Sequence, residues 1–66
     1  MKLKINGKDE EITDAKTLGD LLRQRGLNRP TVVAEHNSVI IARAALDSTE
    51  LKPGDIIEFV SLVGGG

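Results

Sequence analysis

Cysteine, tryptophan and tyrosine are absent from this chain, and Phe59 is the lone phenylalanine. Without thiols there can be no disulfide staple, no cysteine nucleophile and no thiolate-bound zinc. With a single histidine besides, a structural metal site has no adequate donor set. The near-absence of aromatics removes the stacking platforms of a single-strand nucleic-acid binder. Nine basic residues against ten acidic ones, a net charge of −1, give no basic surplus for phosphate backbones. No apolar run exceeds four residues, far short of a membrane span. The start, MKLKINGKDEE, lacks the apolar stretch of a secretory signal, so a soluble cytoplasmic protein is expected.

What remains is an aliphatic chain of 66 residues, 39% hydrophobic and 29% charged, sized for one domain with a small core. Its patterning is regular. Met1, Leu3 and Ile5 alternate with Lys2 and Lys4, the period of a half-buried strand. Asn6-Gly7 is a strong signal for a tight type I′ hairpin, and KDEEI would return beside the first strand. Thr17 can cap a helix with Asp20 as its capping-box partner. Leu18, Leu21 and Leu22 then form one apolar stripe. Gly26 suits the left-handed position after the helix, which Gly19 weakens internally. Asn28-Arg29-Pro30 closes the segment. TVVAEH and VIIA read as strands joined by a turn at Asn37-Ser38, and residues 43–50 read mostly as loop, with room for a short turn of helix. Lys52-Pro53-Gly54-Asp55 has the composition of a type II turn, and IIEFVSLV is the last strand. The order β-β-α-β-β-β predicts an α+β layer of one helix on a mixed sheet. Leu3, Ile5, Leu18, Leu21, Leu22, Val33, Leu51, Ile57 and Phe59 are its expected core.

The sequence finishes VGGG. Three residues without side chains cannot pack, cap or bind through side-chain chemistry. One reading is an inert end. The other makes the carboxylate of Gly66 the working group, with Gly64 and Gly65 reaching on the order of 10 Å into a partner's cleft. A tail without β-carbons can enter a narrow slot and present an unshielded carbonyl. Residues 1–63 would then be the domain and 64–66 a flexible tail.

Taken in order, MKLKINGK, TLGDLLRQRGL, VVAEHNSVIIAR, LKPGDIIEFV and the closing VGGG resemble the ThiS family. This is the sulfur-carrier branch of the ubiquitin-like β-grasp fold, and the likeness covers essentially the whole chain. Ala42 departs from it, since relatives often have proline before the arginine matching Arg43. The resemblance implies a mixed sheet of four to five strands on one main helix. It also implies a co-substrate rather than an enzyme. A ThiF-like adenylating enzyme would activate the Gly66 carboxylate at the expense of ATP, the chain itself binding no cofactor. A sulfur donor protein would convert the adenylate to a thiocarboxylate, and a ThiG-like thiazole synthase would take the sulfur for thiamine biosynthesis. Gly64 and Gly65 would thread the activating site. A molybdopterin synthase small subunit shares fold and chemistry, and a ubiquitin-like interaction module with an inert tail stands as the alternative from another class.

Other polar residues read as solvated. His36 is a strand-end residue with no convergent partner, and Ser38, Ser48 and Ser61 lack triad company. Arg23, Arg25 and Arg29 make a basic helix end, while Asp9, Glu10 and Glu11 make an acidic hairpin face. The last strand has apolar residues on both alternations, which suggests a central strand with partly covered faces. It also marks Val60, Leu62 and Val63 as a candidate partner surface.

Overall fold

In the computed structural model, residues 1–62 are described; the candidates Val63, Gly64, Gly65 and Gly66 lie outside the described residues. Five strands, β1 (Lys2–Ile5), β2 (Lys8–Glu11), β3 (Val32–His36), β4 (Val39–Ile41) and β5 (Ile56–Ser61), accompany one α-helix, α1 (Leu18–Gln24). They form a single mixed sheet in the order β2-β1-β5-β3-β4. β5 is therefore central, parallel to β1 and antiparallel to β3. One helix on such a sheet is the expected α+β, ubiquitin-like β-grasp architecture.

The local signals fold as their chemistry dictates. Asn6 and Gly7 take φ of +50° and +84°, as a type I′ turn requires, and Ile5 faces Lys8 across the hairpin. At the start of α1 the Thr17 hydroxyl accepts from the Asp20 amide, and the Asp20 carboxylate accepts from the Thr17 amide. The Lys16 amide, then Arg23, then the Thr17 amide lower the Asp20 carboxyl to about 2. The helix ends in a Schellman closure, with the Leu27 amide donating to the Leu22 carbonyl and the Gly26 amide to that of Arg23. Gly26 has φ +65° there.

Gly19 has a second role that composition did not disclose. A β-carbon at this position would come within 2.0 Å of Asp47 Oδ1 and 2.6 Å of Arg29 Nη2. Its bareness leaves room for these two side-chain ends over α1, beside the 3-10 helix Arg43–Ser48, a segment expected mostly as loop with at most a short turn of helix. Asp47 then accepts from Arg29 at 2.6 and 3.0 Å and from Arg23 at 3.1 Å. A second 3-10 turn, Arg29–Thr31, begins at Pro30's segment, where only a chain break was expected.

Leu3, Ile5, Leu18, Leu21, Leu22, Leu51 and Ile57 are all buried, joined by Ile12, Ala15, Ala34 and Leu46. One expected core member is corrected, and a second contributes only in part. Val33 pairs with Val60 on the opposite face of the sheet, because the helix side of β3 belongs to Val32, Ala34 and His36. Phe59 faces the core but stays half-buried, since α1 ends before covering it. None of the described helices is long and apolar enough to cross a membrane.

Candidate functional site

The expected working end, Gly64–Gly66, lies beyond the described residues, so the site is the part of β5 that leads to it. The β3–β5 register fixes how β5 presents its groups. The Leu62 amide donates to the Thr31 carbonyl at 2.7 Å and the Asn37 amide to the Ile56 carbonyl at 2.8 Å. Alternation then places Ile56, Glu58, Val60 and Leu62 with their backbone groups toward β3 and their side chains away from the helix. Ile57, Phe59 and Ser61 turn their backbone groups toward β1 and their side chains toward the helix layer.

The face away from the helix is divided. On β1 and β2, Lys2 faces Glu11 and Lys4 faces Asp9, a lattice of opposite charges. On β5, β3 and β4 it is apolar: Val60 is 50% exposed, Leu62 65%, Ile56 49% and Ile40 68%. Within this patch Glu35 and Glu58 stand directly opposite each other. Val60 and Leu62, two of the candidate partner-surface residues, thus lie on an open and largely apolar surface. The idea that this side of β5 is partly covered is corrected, because no described element packs over it. Ile40 was missed: it sits in the short VII strand, whose apolar run gives no phase to say which residue faces out.

His36, read as isolated, is corrected too. Its Nε2 lies 2.7 Å from Asp55 Oδ2, and Asp55 also accepts from the Asn37 side-chain amide and the Lys52 backbone amide. Asn37 in turn accepts from the Ile56 amide. This cluster fastens the β3–β4 turn and the Lys52–Asp55 turn to the start of β5. Burial pushes the Asp55 carboxyl up, but the hydrogen bonds from His36, the Lys52 amide and Asn37 outweigh it and lower it on balance. A carboxyl depressed in the folded state stabilises above its unfolded value, about 3.9, and loses that contribution as pH falls through the lower folded value. The gap in unfolding midpoint between the native chain and Asp55→Asn should therefore close below about pH 4. A gap that stays the same size from neutral pH down to the acid limit of folding would show that the charge is not the source of the effect.

Most of the other charged side chains stay at the surface, as expected, and are ion-paired there. Arg25 bonds Glu10, Arg23 and Arg29 bond Asp47, and Glu11 lies 2.7 Å from the Met1 amine. Ser38 and Ser48 have no triad geometry; the Ser48 hydroxyl donates to the Ala45 carbonyl. Among the described residues no group of His, Asp and Glu could hold a metal ion.

The chain matches the ThiS family over residues 3–66. It is 33% identical to the thiamine biosynthesis protein ThiS of Geobacter metallireducens, with a TM-score of 0.83 to its crystal structure, each chain covered over 100%. The solution structure of a Geobacter metallireducens thiamine biosynthesis protein gives 0.82 at 33% identity, with 100% of this chain and 88% of that one covered. A thiazole synthase of Paramagnetospirillum magneticum is 32% identical over 66 residues, all of this chain but 20% of that protein's length. The uncharacterized protein ycf40 of Trieres chinensis is 34% identical over 62 residues, 94% of this chain and 85% of that one. With its β-grasp sheet and its family match running almost end to end, the chain belongs to the ThiS family of ubiquitin-like sulfur carriers.

Proposed function

We propose that this carrier takes sulfur on the carboxylate of Gly66 and delivers it for thiazole formation in thiamine biosynthesis. A ThiF-like enzyme would join the carboxylate to the α-phosphate of ATP, releasing pyrophosphate. Sulfur from a donor protein, at the oxidation level of sulfide, would then displace AMP and leave a thiocarboxylate. The carrier binds no cofactor of its own and acts as a co-substrate in the cytoplasm. Carboxylates are poor electrophiles, which is why a leaving group must first be installed by ATP.

The observation that carries the thiamine assignment is the likeness to a Geobacter metallireducens thiamine biosynthesis ThiS over the whole chain. The likeness to one stretch of a thiazole synthase supports a synthase of that kind as the acceptor. The decisive experiment incubates the chain with the cognate ThiF-like enzyme, ATP and a sulfur source and reads the intact mass. A gain equal to the difference between sulfur and oxygen is expected; an unchanged mass with an enzyme that is active on its own carrier would overturn the reading.

The apolar patch of Val60 and Leu62 is the surface on which the adenylating enzyme would rest before the tail engages. Leu62 is 65% exposed, so Leu62→Asp should leave the unfolding midpoint within experimental error. The same change should raise the KM for adenylation by about tenfold or more, as burying an unpaired carboxylate demands. Native adenylation kinetics in that variant would remove the patch from the interface.

A further inference from the structure

β1 and β5 pair in parallel only at Lys4–Ile56 and Ile5–Ile57, and then β1 stops. In a parallel ladder one residue bonds the carbonyl before and the amide after its opposite number. Lys4 follows this rule in donating to the Asp55 carbonyl, and Asn6 in donating to that of Ile57. The next bond is completed by a substitute. Asn6 has already turned away with φ +50°, and its side-chain Oδ1 accepts the Phe59 amide at 2.8 Å in place of a strand carbonyl. Beyond that cap the edge of β5 is bare. The Phe59 carbonyl and the Ser61 amide both point away from β3 toward the side where β1 has stopped, so among the described strands neither faces a partner.

These two groups have the spacing that a single residue of one more parallel strand would bond. Beside them, on the helix side, an open groove of about 270 Å³ is lined by Asn6, Arg25, Leu27, Val32, Phe59 and Ser61. Leu27, Val32 and Phe59 make its lining largely apolar, and Arg25, also in the lining, is paired with Glu10. A strand laid along the edge would drop alternate side chains into this groove, combining main-chain bonds with an apolar pocket as in strand-addition recognition.

We infer that the edge Phe59–Ser61 receives an extended segment of the adenylating enzyme, running parallel to β5 in line with β1, with an aliphatic or aromatic side chain in the groove. The inference rests on the carrier reading. Only four residues separate Leu62 from the Gly66 carboxylate. They span about 14 Å at most, so an enzyme holding that carboxylate stands within that distance of the end of β5, where this edge lies open.

Ser61 offers a clean test, because its amide takes no part in the β3 ladder. Proline is tolerated where a strand's amide faces away from its partners, so Ser61→Pro should fold normally. It should raise the KM for adenylation about tenfold, the worth of one lost hydrogen bond, with kcat nearly unchanged. Ser61→Ala, which keeps the amide, should behave as native. Independently of any variant, the Ser61 amide of the native chain should exchange rapidly when free and become protected in the complex with the ThiF-like enzyme. Conversion of the native chain together with an unprotected Ser61 amide, or with a native KM in a folded Ser61→Pro chain, would overturn the docking edge and leave the carrier reading standing. No conversion of the native chain by an active enzyme would overturn both.

Discussion

Deleting Gly66 should leave a chain that folds as the native one does and gains sulfur at least about a hundredfold more slowly. The deletion draws the carboxyl back by about 3.5 Å, and a misplacement of 1 Å can already cost roughly a hundredfold in rate. Appending one residue should be at least as damaging, because the reactive carbonyl becomes an internal amide that cannot be adenylated. Neither change should move the unfolding midpoint, since the buried side chains named above all lie upstream of residue 58. The measurement is intact mass after incubation with the ThiF-like enzyme, ATP and a sulfur source. Ready conversion of the extended chain, without prior trimming, would mean that the carboxylate is not the working group and that the inert-tail module is the better description.

The second large effect concerns stability. Ile57 is fully buried in the central strand, beside Ile5 and His36. Ile57→Ala should cost about 2–5 kcal/mol through lost burial and the cavity left behind. Domain stabilities run from about 5 to 15 kcal/mol, with small domains at the low end, so this variant should be close to unfolded at ordinary temperature. Phe59→Ala, although it removes a larger side chain, should cost less than the about 3–5 kcal/mol of a fully buried phenylalanine. Phe59 is only half-buried in the edge groove. Urea midpoints decide between them. If Phe59→Ala proves the more damaging, the groove is closed in solution and part of the core.

Where the sequence spoke clearly, a few adjacent residues carried the whole physical requirement. Asn6-Gly7 needed positive φ, Thr17 and Asp20 could satisfy each other, and Pro53-Gly54 could bend only one way. The fold class followed from the order of such signals and the family resemblance. What stayed hidden depends on partners distant in the chain. TVVAEH is apolar on both alternations, and nothing local distinguishes Val33 from the identical Val32, so the core assignment fell on the phase opposite to Val32 and Ala34. Asp47 gave no hint that it would bind two arginines over a bare Gly19, nor Asp55 that it would meet His36. The candidate surface was half legible. An excess of apolar residues on β5 could be counted, whereas Ile40, and the bare edge left where β1 stops, depended on which strands neighbour which.

The central position of β5 also bears on how the protein is made. The hairpins β1–β2 and β3–β4 touch within the sheet only through β5, the last strand to be synthesised. Lys4 must wait for residues 55 and 56 before its ladder can form, so contacts of long sequence separation dominate and nucleation is delayed. A nascent or prematurely terminated chain would expose two unpaired hairpin edges instead of a sheet, the kind of species that proteases clear. The sheet thus closes in one late step, when β5 joins two hairpins that do not pair with each other without it.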